Sequence, residues 1–265
     1  MATLRYTILG CGSSGGVPRL GGLWGACDPS NPKNHRRRCS MLVERIEGEN
    51  VTRVLIDTSP DMRAQLLDAG IGHLDGVIFT HDHADHMHGI DDLRMIVFNR
   101  KSRLPVWADT RTTDSLLARF GYAFIQPPGS MYPPILELNA ITDRTEITGA
   151  GGTIRFEPLK VKHGRIDALG FRIGDLAYLP DAAEIYESTW EKLGNLKVWV
   201  VDALRYTPHS SHAHLARTLE WIERAKPERA IITNMHIDLD YEILNAETPD
   251  HITPAHDGMV IEIET

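Results

Sequence analysis

Short apolar runs alternate with amphipathic segments along this chain of 265 residues. The runs are rich in Val, Ile and Leu and end at Gly, Pro, Asp or Asn, which is typical of buried β-strands. They predict strands at residues 5–9, 41–46, 53–57, 76–80, 104–108, 153–161, 170–173, 176–179, 197–202, 230–233 and 259–263. Apolar side chains at three- and four-residue spacing indicate helices, which we predict at residues 61–69, 113–120, 183–193 and 214–225.

Two long segments, residues 13–39 and 124–134, interrupt this pattern and are rich in Gly, Pro and Asn. We interpret them as loops, and loops of this length in a compact domain are often functional. The sequence contains no repeat and no linker long enough to divide it. Strands that alternate with helices therefore predict one α/β domain over residues 1–265, with mixed sheets.

Composition and charge narrow the range of partners. The formal net charge of −8 argues against a protein that wraps long nucleic acid, because phosphate contacts require a broad basic face. It does not exclude a small phosphorylated substrate. No apolar run approaches the roughly 20 residues of a membrane span, and no leader precedes the first predicted strand, so we expect no membrane partner. Three cysteines, an odd number, fit a reduced, cytoplasmic location.

Histidine is concentrated in one short segment directly after the predicted strand at residues 76–80. Four of the 13 histidines lie within residues 81–88, where a random window of eight residues would hold roughly 0.4. Imidazole nitrogens and carboxylate oxygens bind divalent metals, and no neighbouring thiolate favours a purely structural site. The segment therefore predicts a metal centre, with candidate ligands His81, His83, Asp85 and His86.

Three further candidate ligands each follow a predicted strand, namely His163, Asp181 and His236. Taken singly, each is more simply explained as a turn or capping residue. Side chains at the ends of adjacent strands can converge on one point, however, and with the cluster these three complete two coordination spheres.

The order His-x-His-x-Asp-His at residues 81–86, followed by His163, Asp181 and His236, resembles the metallo-β-lactamase superfamily over nearly the whole chain. The resemblance implies a four-layer αββα sandwich with two mixed sheets and two divalent metal ions, Mn or Zn. By resemblance, one ion would bind His81, His83 and His163, the second would bind Asp85, His86 and His236, and Asp181 would bridge both.

Residues 9–18 resemble the opening shared by the phosphodiesterase branches of that superfamily, and four further stretches, residues 24–25, 36–40, 88–94 and 257–259, look like one group within those branches. These branches include the tRNA 3′-processing endonucleases, and the closer match is to the phosphoribosyl cyclic phosphate phosphodiesterases of phosphonate breakdown. The resemblance implies a metal-dependent phosphodiesterase in which two ions share a hydroxide. Its partner would be a small cyclic or nucleotide-like phosphodiester, such as a mononucleotide or a ribose phosphate. Dimers are common among similar proteins, so a homodimer is consistent with it.

A general acid is also expected, because the leaving oxygen of a phosphodiester needs a proton. By resemblance, His212 aligns with the non-ligand active-site histidine of the family, and His214 is the near alternative. Asp181 would hold the metal pair and hydrogen-bond the nucleophile. A helix-capping or surface role is the alternative for either histidine.

The sequence departs from these relatives in two places. Close members of the phosphonate group bind an extra structural zinc through cysteines of the N-terminal loop, where this chain offers only Cys27 and Cys39, so we expect no such zinc. In those relatives the last metal histidine directly follows Thr, whereas here Asn234 follows Thr233 and His236 lies two positions further on.

Three other functions stay open from the sequence. One is a tRNA 3′-end endonuclease-like activity, and another is hydrolysis of a thioester by the same fold, which the glycine-serine loop at residues 9–18 disfavours. The third belongs to a different class, a metal-dependent nucleotide-binding protein without turnover, against which the complete ligand set and the candidate acid argue.

Overall fold

The computed structural model describes residues 2–265, among which fifteen strands and seven helices occur. The strands are β1 (Thr3–Gly10), β2 (Ser40–Glu47), β3 (Asn50–Ile56), β4 (Gly76–Ile78), β5 (Leu104–Ala108), β6 (Leu136–Ala140), β7 (Thr145–Gly149), β8 (Gly152–His163), β9 (Ile166–Ile173), β10 (Leu176–Leu179), β11 (Glu184–Ile185), β12 (Val198–Asp202), β13 (Arg229–Thr233), β14 (Ile252–Pro254) and β15 (Met259–Glu264). The helices are α1 (Met62–Asp68), α2 (Ala84–Met87), α3 (Leu93–Arg100), α4 (Thr110–Phe124), α5 (Glu187–Trp190), α6 (Leu215–Ala225) and α7 (Tyr241–Glu247).

The first of two compact units contains residues 2–9, 40–155 and 260–265. Its seven-stranded sheet has the order β15-β1-β2-β3-β4-β5-β6. β2 and β3 pair antiparallel, whereas β3, β4, β5 and β6 run parallel. Because parallel strands end at one edge of a sheet, the residues that follow β3 and β4 come together there. These residues include Asp57, Thr80 and His81.

The second unit contains residues 10–39 and 156–259. Its strands follow the order β11-β8-β9-β10-β12-β13-β14, and β7 pairs with β8. β8, β9 and β10 pair antiparallel, and β10, β12, β13 and β14 run parallel. Asp181 follows β10, Asp202 ends β12 and Asn234 follows β13, so these polar side chains share the carboxyl edge of three neighbouring strands. All three are buried.

The predicted fold class, α/β with two mixed sheets, is confirmed. The predicted helix at residues 183–193 is wrong over most of its length, because Glu184–Ile185 pairs with β8 as β11 and only Glu187–Trp190 is helical. The elements that were not predicted are the helices α2, α3 and α7 and the strands β6, β7, β11 and β14. The single-domain organisation stays a prediction. No helix within residues 2–265 is long and apolar enough to span a membrane.

Candidate metal centre

Asp57 organises the histidine-rich loop of the first unit. Its buried carboxylate accepts hydrogen bonds from the Thr80 amide and from the Thr80 hydroxyl, both at 2.7 Å. Since that hydroxyl donates to Asp57, it accepts from His81 Nδ1 at 2.9 Å. His86 Nδ1 likewise lies 2.7 Å from Asp57 Oδ2. A carboxylate or hydroxyl that holds Nδ1–H fixes Nε2 as the unprotonated nitrogen, which is how metal-binding histidines are oriented.

Burial and hydrogen bonding act in opposite directions on Asp57. Burial raises the pKa of Asp57, while the charge and hydrogen bond of His86 and the two donors of Thr80 oppose this rise. The carboxylate therefore depends on these neighbours for its ionised form, and the histidine and Asp57 stabilise one another.

Helix α4 holds the same loop from another side through Asp82. Ser115 Oγ donates to Asp82 Oδ2 at 2.7 Å, Arg111 Nε lies 3.3 Å from Oδ1, and Arg119 Nη1 donates to the Asp82 carbonyl at 2.9 Å. Burial alone would raise the pKa of Asp82, but the bonds from Ser115 and Arg111 outweigh it and lower that pKa. Asp82 thus anchors the loop, which agrees with its having no predicted ligand role.

Gly89 closes this loop against the backbone that follows β3. Its amide donates to the Thr58 carbonyl at 2.9 Å, and a Cβ at this position would collide with the Ser59 carbonyl oxygen. Because backbone meets backbone there, Gly89→Ala should destabilise the protein by about 1–3 kcal/mol or more. At about 2–4 °C per kcal/mol, Tm falls by several degrees.

Calorimetry of Gly89→Ala beside Gly121→Ala tests this expectation. Gly121 lies in α4, where an added Cβ has no neighbour within 4 Å, so its substitution should leave Tm unchanged or slightly higher. Equal Tm values for the two variants would show that the loop can move away from Ser59 at no cost.

Two pairs of predicted ligands have the spacing of groups that share an ion. In the first unit His86 Nε2 lies 3.6 Å from Asp85 Oδ2, and in the second His163 Nε2 lies 3.6 Å from Asp181 Oδ2. Two ligand atoms about 2.1 Å from a tetrahedral zinc would be about 3.4 Å apart. His163 Nδ1 lies 2.6 Å from the Ser211 carbonyl oxygen, so it is Nε2 that faces Asp181.

Predicted ligands also lie close together within each unit. In the first unit the rings of His81 and His83 pack edge-on at 4.6 Å between centroids, and in the second His163 lies beside Asp181. Imidazole nitrogens with a carboxylate oxygen suit a divalent metal such as zinc or manganese. The donor set therefore fits a divalent cation.

His236 occupies a separate position beyond Asn234. Its amide donates to the Leu204 carbonyl at 2.9 Å, and its Nδ1 contacts the Asp238 carboxylate. Burial, together with the positive charges of Arg19 and Arg205, lowers the pKa of His236 to about 4. The ring is neutral at pH 7, as a metal ligand must be.

His212 pairs with the buried carboxylate of Asp202, which was not among the predicted site residues. Its Nδ1 lies 3.0 Å from Asp202 Oδ2, and its ring packs edge-on against His163 at 4.6 Å between centroids. Asn234 Nδ2 lies 3.2 Å from Asp202 Oδ1. Burial raises the pKa of Asp202, and the positive charge of His212 opposes that rise. His214 instead precedes α6 as its N-cap, without a side-chain capping bond.

Backbone hydrogen bonds fix the glycine-serine loop, both within the loop and to residues 37 and 235. The amides of Gly12, Ser13 and Gly16 donate to protein carbonyls at 2.8–3.2 Å, so these three are not available to a phosphate. The buried Arg36 does not reach solvent either, because its Nη1 donates to the His236 carbonyl at 3.4 Å and its Nη2 to Asn34 Oδ1 at 3.0 Å. This loop serves to support the backbone at His236.

Comparison with known proteins places the chain in a family. Residues 52–237 match the β-lactamase superfamily domain. A crystal structure of a new diphosphatase from the PhnP family is 34% identical and covers 99% of this chain and 98% of its own, with a TM-score of 0.86. Zn²⁺-bound PqqB from Methylobacterium extorquens shares the fold at 16% identity and a TM-score of 0.73, over 97% of this chain and 99% of its own.

A curated relative from Porphyromonas gingivalis, named octanoyltransferase, is 36% identical over 261 residues. The match covers 97% of this chain but 51% of the relative, so the chain spans about half the length of that protein. These findings confirm the resemblance drawn from the histidine motif: the chain belongs to the metallo-β-lactamase superfamily, where it is similar to a diphosphatase from the PhnP family.

Proposed function

We propose that this protein is a metal-dependent phosphodiesterase that hydrolyses a small cyclic or nucleotide-like phosphodiester with two divalent ions, Mn or Zn. The observation that carries the proposal is the pairing of predicted ligands within each unit, where His86 Nε2 lies 3.6 Å from Asp85 Oδ2 and His163 Nε2 lies 3.6 Å from Asp181 Oδ2. The PhnP-family diphosphatase supports phosphorus chemistry, and zinc in PqqB supports the metal type.

In the proposed reaction the side chains have two roles, metal binding and proton donation. When bound, the metals would supply Lewis acidity and lower the pKa of water. His81 and His163 present Nε2 because a hydroxyl and a carbonyl hold their Nδ1 atoms. By the family resemblance, His81, His83 and His163 would hold one ion, Asp85, His86 and His236 would hold the other, and Asp181 would serve both. His212 donates a proton to the leaving oxygen, and Asp202 orients its ring and balances its positive charge.

Charge near His236 favours an anionic substrate. The positive charges of Arg19 and Arg205 both act on that ring, and neither makes an ion pair within residues 2–265. A mononucleotide or a ribose phosphate fits such a setting. Long nucleic acid does not, because the chain carries a net charge of −8. The three cysteines are free thiols, which is consistent with the proposed cytoplasmic location.

A thioester hydrolase is the second candidate, favoured by the name of the Porphyromonas gingivalis relative. Covalent acyl transfer through a cysteine is disfavoured in this chain. Burial raises the pKa of Cys11, Cys27 and Cys39, so none of them is a thiolate at neutral pH. Acyl chemistry here would have to use the same metal ligands.

Removal of metal is the direct test of the proposal. Dialysis against a strong chelator should reduce hydrolysis of bis-p-nitrophenyl phosphate to background, and Mn or Zn should restore it. His83→Ala should lose metal and turnover together, as measured by metal analysis and absorbance. Full activity of the chelated protein would overturn the mechanism. A protein that binds mononucleotides tightly but cleaves no phosphodiester would instead be a regulatory binder.

A parallel assay separates the two enzyme classes. The metal-loaded protein is given a 2′,3′-cyclic nucleotide and an octanoyl thioester at equal concentrations. We expect turnover of the cyclic phosphate to exceed that of the thioester by at least about 100-fold. The reason is that groups that bind an anion gain no interaction with a neutral acyl chain. The reverse ratio would assign the protein to acyl substrates.

A further inference from the structure

Asn234 directly follows Thr233, at the place where the sequence departs from its relatives. It is 2% exposed, and its backbone is left-handed with a φ of 60°, a conformation that Asn adopts more readily than most residues. The Ala203 amide donates to the Thr233 carbonyl at 3.1 Å, on one side of this strand end. On the other side the Met235 amide donates to the Cys11 carbonyl at 2.9 Å. The main chain therefore fixes the position from which the Asn234 side chain projects.

Strand pairing brings the Asn234 amide to the carboxylate of Asp202. β12 and β13 run parallel with Asp202 opposite Thr233. Asn234 Nδ2 lies 3.2 Å from Asp202 Oδ1 and 3.1 Å from His212 Nδ1, which in turn lies 3.0 Å from Asp202 Oδ2. An ionised carboxylate only accepts hydrogen bonds, so the amide and the imidazole each donate to a different oxygen of Asp202.

The groups on either side determine which way the amide faces. The Cys39 thiol lies 3.9 Å from Asn234 Oδ1 and is a weak donor to it. Burial raises the pKa of this thiol, so it keeps its proton at neutral pH. If the amide were turned over, its oxygen would face the Asp202 carboxylate and two acceptors would oppose each other. Nδ2 therefore faces Asp202, and Oδ1 faces the thiol.

Asn234 supplies the donor to Oδ1 of Asp202, whereas Oδ2 has other donors. The Ala182 amide donates to Oδ2 at 3.0 Å, and this is also the oxygen that His212 contacts. A buried carboxylate oxygen without a donor is costly. Without the Asn234 amide, the carboxylate would gain by turning Oδ1 toward the donors of Oδ2, and the His212 ring would move with it.

We propose that Asn234 is a positioning residue for the general acid, because it holds Asp202 in the orientation that fixes the ring of His212. The inference rests on the proposed function, in which His212 donates a proton to the leaving oxygen. It gives the residue at this strand end a part in proton donation rather than in metal binding.

Asn234→Gly removes the amide, and Gly keeps the left-handed backbone without strain. This variant should keep its metal and lose at least about 10-fold in kcat on a 2′,3′-cyclic nucleotide, the loss expected when a buried charged group loses a hydrogen bond. On bis-p-nitrophenyl phosphate the loss should stay below about threefold, because that leaving group needs no proton. A fall in bound metal, or equal losses on both substrates, would overturn the proposal.

The matched control is Asn195→Gly. Asn195 lies in the same unit and also has a left-handed backbone, with a φ of 55°, but its side chain is exposed. Its substitution should leave metal content and both kcat values within about twofold of the wild type. An equal loss in Asn195→Gly would mean that replacing a left-handed Asn, and not the contact with Asp202, lowers turnover.

Asn234→Asp separates positioning from metal binding. A second carboxylate facing Asp202 should lower kcat on the cyclic nucleotide at least as much as Asn234→Gly does, because like charges repel. A metal ligand would tolerate the change, since carboxylates bind divalent ions. Full turnover of the cyclic nucleotide by Asn234→Asp would therefore assign the residue to the metal and overturn the proposal.

NMR of the full chain distinguishes failure of this inference from failure of the proposed function. The Nδ1–H signal of His212, assigned by its loss in His212→Ala, reports the bond to Asp202 without any substrate. We expect it to be protected from exchange with water in the wild type and to broaden or vanish in Asn234→Gly. An unchanged signal would overturn the positioning role, whereas a changed signal in a protein that cleaves no phosphodiester would support that role and reject the proposed function.

Discussion

Asp181→Ala should lower bound metal to one ion per chain or fewer and reduce kcat/KM for a phosphodiester by at least about 1,000-fold. The proposed site gives this carboxylate a part in both metal spheres, and its Oδ2 lies 3.6 Å from His163 Nε2. Loss of an outer partner of a metal ligand already costs about 10–100-fold. Loss of a ligand that serves both ions should therefore reduce metal affinity and activity by a larger factor. Metal analysis and steady-state kinetics on the same preparation measure both effects.

Glu184→Ala is the control for Asp181→Ala. Glu184 lies on β11 of the same unit, where its carboxylate is exposed and lies 3.4 Å from Lys162 Nζ. Exposed pairs of this kind contribute little, so metal content and kcat/KM should stay within about twofold of the wild type. If Asp181→Ala also kept its metal and its activity, the role of this carboxylate would be structural and the proposed pair of ions would lose its shared ligand.

Ligands at strand ends could be selected from the sequence because the apolar pattern locates the ends of strands. Asp181 follows Leu176–Leu179 and His163 ends Gly152–His163, close to the predicted boundaries. Parallel neighbours then bring such residues to one edge. Strand ends alone do not determine which of these residues bind the same ion. The family resemblance indicates that grouping.

Asp57 and Asp202 were missed although each stands at the end of a predicted strand. Asp181 was selected because it follows a strand, and the same reason applied to Asp57 and Asp202. Their roles, however, depend on contacts with residues that are distant in the sequence. Asp57 matters because His86 and Thr80 bind it, and Asp202 because His212 does. Such pairings join residues up to 29 positions apart, a distance at which periodicity carries no information.

The missed elements have a similar cause. Residues 184–185 lie in a segment whose apolar spacing fits a helix, but Glu184 and Ile185 pair with Lys162 and Val161 of β8. Tertiary pairing of two residues overrides a weak local preference. Helix α3 was missed because it follows the metal-binding loop closely and its apolar residues form no clear stripe along Leu93–Arg100.

His212→Ala should keep its metal and lose about 100- to 10,000-fold in kcat, the range expected for a general acid. The ring of His212 packs against His163, and its Nδ1 lies 3.0 Å from Asp202 Oδ2, closer than the 3.9 Å to Asp181 Oδ2. His214→Ala is the control, since His214 only precedes α6 without a side-chain cap bond. A larger loss in His214→Ala would assign the acid to that residue instead.

Two substrates with different leaving groups distinguish proton donation by His212 from its other possible roles. p-Nitrophenolate departs readily without a proton, whereas a ribose alkoxide does not. His212→Ala should therefore lose much less activity on bis-p-nitrophenyl phosphate than on a 2′,3′-cyclic nucleotide. Equal losses on both substrates would mean that the histidine supports the site rather than donating a proton.

Asp202→Asn then tests the proposed positioning residue behind the acid. Through its one oxygen the amide can still accept from His212 Nδ1, which lies 3.0 Å from the present Oδ2, although the bond from Asn234 Nδ2 to Oδ1 is lost. It no longer balances the imidazolium charge, and the protonated acid becomes less stable. On the cyclic nucleotide the alkaline fall in kcat should therefore move to lower pH, with metal content unchanged. If Asp202 had only a structural role, Asp202→Asn would lower kcat at all pH values, and the pH at which kcat falls would not change.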